Sequence, residues 1–175
     1  MSHATFAHPG GSELFEDAKY REAVQALVRA REYDPDLTVP ATRMVVRALL
    51  RVGDFGRAEK EAGSLVSATV GAEDLSLHAE TLWSTGHFEE ANARYTAALT
   101  LDSGYPPALH GMARILDARG KTADGLVAVE RAIERDQEVA EYHHTRAYLL
   151  ERLGNYHVAA DELQRYLRFL PEKGF

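Results

Sequence analysis

The sequence predicts an all-α solenoid of about five helix-turn-helix repeats, and three regular spacings are the basis of that prediction. Glycines recur at intervals of 33, 34 and 34 residues. An aromatic residue or a substitute stands two positions after each glycine, and a small residue stands three positions further on. These positions are Gly53, Gly86, Gly120 and Gly154, then Phe55, Phe88, Thr122 and Tyr156, then Ala58, Ala91, Gly125 and Ala159. Ala18, Tyr20 and Ala23 continue the series toward the N-terminus, with alanine in place of glycine.

Each copy contains two patterns of apolar residues at helical spacing, joined by a short turn. In the last copy these residues are Ala147, Leu150 and Leu153, then Ala159, Leu163, Tyr166, Leu167 and Leu170. The small residue after each turn predicts a close approach of the two helices, because a larger side chain would separate them. Prolines mark helix ends. Pro35 and Pro171 are predicted to close second helices, and Pro106 and Pro107 to open a first helix.

The predicted domain organisation is one solenoid over residues 12–171, preceded by a flexible segment at 1–11 and followed by a tail at 172–175. The repeats are predicted at residues 12–37, 39–70, 72–105, 106–139 and 140–171. The first copy is shortened, since Pro9, Gly10 and Gly11 oppose a helix before Ser12. Ser12 is the predicted N-cap, and Phe15 is the first predicted buried residue.

Composition indicates a globular protein and excludes several classes of function. Apolar residues make up 45% of the chain and charged residues 27%, and the net charge of −7 opposes a general affinity for nucleic acid. Because there is no cysteine, disulfides, thiol nucleophiles and cysteine zinc sites are excluded. No signal peptide and no membrane span are recognisable, so a cytoplasmic protein is expected. The excess of arginine over lysine suggests a bacterial source.

The repeated residues resemble those of the tetratricopeptide repeat (TPR) family. The third copy carries the pattern best, through Leu75, Ala79, Leu82, Gly86, Phe88, Ala91, Tyr95 and Ala98. The fifth copy carries it too, with Arg146 and Tyr166 in place of the usual leucine and alanine. The resemblance implies helical hairpins stacked in a right-handed superhelix, and a protein that binds other proteins.

No enzyme and no metal or cofactor site is predicted. The chain has eight histidines, but none form a pair at i, i+4, and the adjacent His143 and His144 point about 100° apart on a helix. The glycines mark turns between helices, and no glycine-rich phosphate loop is present. Catalytic residues, cofactors and metal ligands are therefore predicted to be absent.

The resemblance places the first helix of each copy along a concave groove. The groove residues that it implies are Arg43, Arg47, Arg51, Ser76, Glu80, Trp83, His110, Arg114, His144, Tyr148 and Arg152. Arg43, Arg47 and Arg51 are four residues apart and form one stripe on a helix. Arginine binds carboxylates in two-point fashion, which favours an acidic partner or one with a free C-terminal carboxylate.

Two alternatives remain open for these side chains at this stage. The arginines either bind such a partner or are solvated and paired with Glu80 and its neighbours. Trp83 either belongs to the core or, together with Tyr148, packs against the apolar side chains of a ligand.

The second helix of the last copy presents an apolar stripe formed by Leu163, Tyr166, Leu167 and Leu170. Three explanations are open for it: a homodimer, a missing downstream domain, or a tolerated exposed end. Two functions follow from the whole pattern. The leading hypothesis is a non-enzymatic scaffold that binds a peptide or protein segment in the groove. The alternative is an accessory or self-assembly module of a larger enzyme or complex.

Overall fold

The computed structural model describes the backbone of residues 11–170 and the side chains of residues 18–170. Predictions for residues 1–10, Pro171 and the tail at 172–175 lie outside the described residues, as do those for the side chains of Ser12 and Phe15. Within residues 11–170 the secondary structure is entirely helical. The helices are α1 (Gly11–Tyr33), α2 (Thr38–Arg51), α3 (Phe55–Ala68), α4 (Ala72–Ser84), α5 (Phe88–Leu101), α6 (Pro106–Ala118), α7 (Thr122–Arg135), α8 (Ala140–Arg152) and α9 (Tyr156–Phe169).

The predicted all-α fold of tandem helix-turn-helix repeats is confirmed. Each turn glycine adopts the left-handed conformation, with φ between 75° at Gly53 and 85° at Gly86. Glycine adopts this conformation at no steric cost, which allows a helix to end and the chain to reverse within three residues. The small residues pack as predicted, because Ala58 and Ala91 are fully buried and Ala159 is nearly so. At Gly125 an added Cβ would lie 2.8 Å from the backbone oxygen of Ala113 on the preceding helix.

The first copy differs from the expected hairpin, because α1 runs without interruption through Ala18. Ala18 stands where the other copies have the turn glycine, and alanine favours helix continuation over the left-handed turn. The helix ends at Tyr33, two residues before Pro35, which begins a short 3₁₀ helix at Pro35–Leu37. Asp34 caps that turn through its side chain, which accepts a hydrogen bond of 3.0 Å from the backbone of Asp36.

The chain divides into two compact units, Met1–Ala68 and Thr69–Phe175. In the first unit, α2 packs against both α1 and α3, around buried Val24, Val45, Val46 and Leu49. Arg31 of α1 ties the unit together, since it donates to Glu61 of α3 at 2.6 and 3.0 Å and to Thr42 of α2 at 3.0 Å.

The second unit contains three hairpins, α4–α5, α6–α7 and α8–α9. Each second helix packs against the first helix of the next hairpin, and the first helices α4, α6 and α8 also contact one another in sequence. One buried cluster joins α6, α7 and α8 through Leu109, Ala113, Val129, Ala132, Tyr142 and Leu149. The prediction of a single solenoid over 12–171 concerns both units together and stays a prediction. No helix within the described residues is long and apolar enough to span a membrane.

Candidate binding groove of the second unit

Helices α4, α6 and α8 place equivalent side chains next to one another. Residues 34 positions apart occupy the same site in successive repeats, so Glu80, Arg114 and Tyr148 form one row across the three helices. His110 and His144 form a second row on the same surface. Side chains of these two rows line the candidate site or contact the residues that line it.

The centre of the first row is a partly buried ion pair between Arg114 and Glu80. The guanidinium donates to both carboxylate oxygens, at 3.2 Å from Nη1 to Oε1 and at a shorter distance from Nη2 to Oε2. The hydroxyl of Tyr95 on α5 donates to Glu80 Oε2 at 2.7 Å and accepts from Arg114 Nη2 at 3.1 Å. Burial alone would raise the pKa of Glu80, but the charge and hydrogen bonds of Arg114 hold it below its usual value. The carboxylate-binding fork of Arg114 is therefore occupied within the chain.

Trp83 packs against the other side of the same guanidinium. The centre of the Arg114 guanidinium lies 5.1 Å from the centroid of the Trp83 ring, which is the arrangement of a cation–π contact. The ring also meets Phe88 edge-on at 4.9 Å and is half-buried. Nε of Arg114 is buried and finds no hydrogen-bond acceptor among the described residues. Trp83 thus contributes to packing and also keeps an exposed part on the groove.

His110 is held neutral beside this pair. Its Nε2 shares a hydrogen bond of 2.8 Å with Oγ1 of Thr145 on α8, and its ring packs 4.9 Å from that of Tyr142. Burial, assisted by the positive charge of Arg114, lowers the pKa of His110 from 6.5 to about 3. At neutral pH the row therefore contains an uncharged imidazole.

A second ion pair, in which the arginine is more exposed and the carboxylate more buried, lies at the end of this surface. Arg152 of α8 lies 3.1 Å from Asp117 of α6, measured from Nε to Oδ1, and its Nη1 donates to the Tyr148 hydroxyl at 3.3 Å. Thr122 donates to the same oxygen of Asp117 at 2.8 Å and fixes the carboxylate. Arg152 also sits 5.8 Å from the Tyr148 ring centroid, and the Tyr148 side chain remains about half exposed at 48%.

These side chains surround a groove of about 650 Å³ on the α4, α6 and α8 face. Its walls combine exposed aromatic and imidazole surface with two internally paired arginines, which is the mixture of apolar area and oriented polar groups typical of binding sites. The lining residues are Trp83, Arg114, Asp117, Ala118, Gly120, His144, Thr145, Tyr148, Leu149 and Arg152.

The structure brings together most of the predicted groove residues of this unit. The lining residues predicted from the sequence are Trp83, Arg114, His144, Tyr148 and Arg152. Glu80 and His110 hydrogen-bond to groove residues without lining the groove themselves, and Ser76 is buried. Of the two alternatives for the arginines, pairing with Glu80 holds for Arg114.

The three arginines of α2 belong to the first unit. Arg43 is half-buried, whereas Arg47 and Arg51 are exposed. Their role in binding stays a prediction.

The sequence analysis missed two residues that shape the groove. Tyr95 bridges the Glu80–Arg114 pair, and the sequence signal for its packing is Gly111, which leaves room for the tyrosine ring on the next helix. Asp117 forms an ion pair with Arg152. It stands 34 residues after Trp83, so the two residues occupy equivalent positions in successive repeats. Among the described residues, no three His, Asp or Glu side chains are grouped in a way that would hold a metal ion.

The predicted interface residues lie on α9. Leu163, Leu167 and Leu170 are exposed, whereas Tyr166 is half-buried and its ring lies 5.1 Å from that of His144.

Comparison with known proteins connects this geometry to a family. A search of curated protein sequences gives no significant match. Residues 82–153, which carry the groove from Trp83 to Arg152, match the sequence model of the tetratricopeptide repeat family.

Solved structures show the same fold at low sequence identity. TTC0263, a thermophilic TPR protein of Thermus thermophilus, is 18% identical with a TM-score of 0.76 over 93% of this chain and 89% of its own. MamA is 15% identical with a TM-score of 0.62 over 94% and 96% of the two chains. YrrB, a TPR protein with an unusual peptide-binding site, is 14% identical with a TM-score of 0.56 over 91% and 82%.

The 34-residue period, the left-handed turn glycines and the family match lead to one conclusion: residues 82–153 are tetratricopeptide repeats, within a chain that has the TPR fold.

Proposed function

We propose that the protein is an interaction scaffold that binds a segment of another protein in the α4, α6 and α8 groove. The TPR fold typically serves protein–protein interaction and is typically non-catalytic, since its stacked hairpins offer an extended binding surface. YrrB, which shares the fold, is described with a peptide-binding site. The observation that carries the proposal is the groove itself, with half-exposed Tyr148 and Trp83 flanking a cavity of about 650 Å³.

The charges of the groove favour a particular kind of segment. The two-point site of Arg114 is taken by Glu80, so a ligand carboxylate must find another donor. Arg152 also has a partner, Asp117, but its side chain is 46% exposed, against 22% for Arg114, so its guanidinium is the more accessible of the two. We therefore expect an apolar or aromatic side chain between Trp83 and Tyr148, and an acidic side chain or C-terminal carboxylate near Arg152.

Selection of binding peptides from a random displayed library tests this proposal. Selection is run against the wild-type protein and against Tyr148→Ala, with Tyr33→Ala as the matched control, because Tyr33 is an exposed tyrosine outside the groove. Loss of an aromatic contact at the centre of a binding site typically costs about 2 kcal/mol, which is about thirtyfold in Kd. We expect that loss for Tyr148→Ala and none for Tyr33→Ala.

Chemical variants of a selected peptide then separate the two sources of negative charge. Amidation of the peptide C-terminus weakens binding if the terminal carboxylate meets Arg152, whereas neutralising an internal acidic residue weakens binding if that side chain does. In either case Arg152→Glu weakens binding, and Arg168→Glu, on the exposed surface of α9, does not. The groove proposal fails if library peptides bind wild type and Tyr148→Ala equally.

A second function, self-assembly, is favoured by a different observation. Leu163 and Leu167 on α9, and Leu170 at its C-cap, are exposed in a charged, acidic protein. Exposed apolar side chains that cluster in this way are typical of association surfaces. The mass of the protein in solution decides between a monomer and an assembly.

A further inference from the structure

We propose that α9 pairs with α9 of a second copy of this chain about a two-fold axis. This inference rests on the self-assembly function proposed above and specifies its surface and its occupant. It is independent of ligand binding in the groove.

Five residues of α9 and its C-cap form the surface, which we call the α9 seam: Tyr156, Ala160, Leu163, Leu167 and Leu170. They are separated by four, three, four and three residues, the strict two-in-seven spacing of a helix that packs along one other helix. All five are exposed, with Tyr156 at 68% and Leu167 at 65%. The seam is therefore a narrow apolar strip with the periodicity of a two-helix contact.

The preceding repeats show that a helix covers the equivalent positions. Leu163 stands nine residues after its turn glycine, as do Tyr95 and Val129 in the third and fourth repeats. Both of those residues are fully buried. The Tyr95 ring packs on Gly111 of α6, and Val129 lies in one cluster with Tyr142 and Leu149 of α8. The same face of α9 lacks such a cover within residues 18–170.

Tyr166 argues against an ordinary further repeat as the occupant. Its equivalents Ala98 and Ala132 are fully buried small residues, which allow close approach of the next helix. Tyr166 is instead a large, half-buried side chain at this position, and its ring packs against His144 of α8. Because Tyr166 is too large for the close approach that alanine allows at this position, a helix that covers α9 is expected to lie over the seam and away from Tyr166.

Charge favours a second copy as that helix. The whole chain carries −7, yet α9 contains two acidic residues, Asp161 and Glu162, and two basic residues, Arg165 and Arg168, so its formal charge is zero. The positions that flank the seam are His157, Ala159, Gln164 and Tyr166, none of which is acidic or a permanent cation. Two α9 helices can approach along the seam without placing like permanent charges against each other, although the proteins as a whole repel.

Light scattering coupled to size-exclusion chromatography tests this proposal across a series of protein concentrations. The wild type is expected at twice the chain mass of 19.4 kDa at the highest concentrations. Leu167→Glu is expected at the single-chain mass throughout, because it places two carboxylates in the seam. Val127→Glu is the matched control, since Val127 is 58% exposed on α7, away from the seam. It is expected to remain dimeric, and circular dichroism checks that each variant keeps its helical content.

The outcomes distinguish dimerisation through the α9 seam from self-assembly through another surface. A wild-type protein that stays monomeric overturns both. A dimer that persists in Leu167→Glu overturns the seam and leaves self-assembly through another surface. Equal dissociation by Val127→Glu also overturns the seam, because the effect is then not specific to α9.

Discussion

At the residue scale, Glu162 of α9 is a charged side chain in the interior of the second unit, with 1% of its surface exposed. One carboxylate oxygen lies 2.8 Å from His143 Nδ1, and the other accepts from Arg146 and lies 3.1 Å from Arg165. The opposite nitrogen of His143 lies 2.8 Å from the Gln137 carbonyl, which can only accept, so Nε2 carries a proton. Arg146 stands where the family usually has leucine. Its hydrogen bonds to Glu162 and Glu130 explain how a charged side chain is accommodated between α8 and the helices beside it.

We predict that Glu162→Ala lowers the free energy of unfolding by about 1.5–3 kcal/mol, because it removes the carboxylate that meets buried His143 and one of the two carboxylates that bind Arg146. Urea unfolding followed by circular dichroism measures the change. Glu89→Ala is the control, since Glu89 forms an ion pair with Arg119 but is 83% exposed. Its effect should stay within about 1 kcal/mol. Equal effects of the two substitutions would show that the Glu162 network does not stabilise the fold.

His110 makes stability depend on pH in a defined direction. An unfolded imidazole takes up a proton near pH 6.5, whereas the folded one, with its pKa lowered to about 3, does so only near pH 3. The unfolded state therefore binds more protons between these values, and the free energy of unfolding falls as the pH decreases from 6.5 toward 3.

We predict that His110→Gln removes about 1.5 kcal/mol of the stability loss between pH 6.5 and 5, since one full proton contributes about 1.4 kcal/mol per pH unit and the unfolded imidazole is half protonated at pH 6.5. Glutamine retains a polar group to meet Thr145. Unfolding curves at several pH values measure the slope, and His157→Gln on the exposed surface of α9 serves as the control. An unchanged slope in His110→Gln would mean that the pKa of His110 is the same in the folded and unfolded protein, which contradicts the prediction.

At the element scale, the contact between α5 and α6 depends on a glycine that is not in a turn. A Cβ added at Gly111 would overlap the Tyr95 ring, and Tyr95 is fully buried and fixed through its hydroxyl to Glu80 and Arg114. A shift of α5 or α6 that made room for the Cβ would move Tyr95 and disturb its hydrogen bonds to Glu80 and Arg114.

Gly111→Ala is therefore expected to destabilise the protein by about 1–3 kcal/mol, as overpacking does in a dense core. Gly56→Ala in α3 is the matched control, because an added Cβ there meets nothing within 4 Å. Alanine is the better helix former, so this variant should gain about 0.5–1 kcal/mol. Opposite signs in thermal or urea unfolding support the close approach, and a neutral Gly111→Ala contradicts it.

The helix hairpins could be predicted from the sequence because their signals are local. Gly53, Gly86, Gly120 and Gly154 mark the turns by a conformation that other residues rarely adopt. Position 18 has alanine in place of the turn glycine, and alanine favours a continuous helix. The uninterrupted α1 that results was not predicted.

The pairing of side chains within the site could be predicted only in part. The period of 34 residues placed Glu80 and Arg114 in one row, so their pairing was one of two open alternatives. The contacts of Arg146 with Glu130 and Glu162, each 16 residues away, depend on how neighbouring helices rotate against one another. Repeat spacing does not encode that rotation. For the same reason the sequence identified Trp83 but not its stacking on Arg114.

At the scale of the whole molecule, the second unit combines two surfaces with different chemistry. The groove presents aromatic side chains beside internally neutralised ion pairs, whereas the α9 seam is apolar and flanked by residues without permanent charge. In our proposal, a partner binds on the α4, α6 and α8 face and a second copy of the chain binds on α9. Neither assignment requires catalytic chemistry.

Tryptophan fluorescence tests the central claim most directly, because Trp83 is the single tryptophan of the chain and lines the groove. A tryptophan-free peptide obtained by the library selection is titrated into the protein while the emission is recorded. We predict a saturable change in the Trp83 emission, with a Kd equal to that measured from labelled peptide, and its loss in Tyr148→Ala. Saturable binding of the labelled peptide without any change in the Trp83 emission would place the ligand elsewhere and contradict the groove assignment.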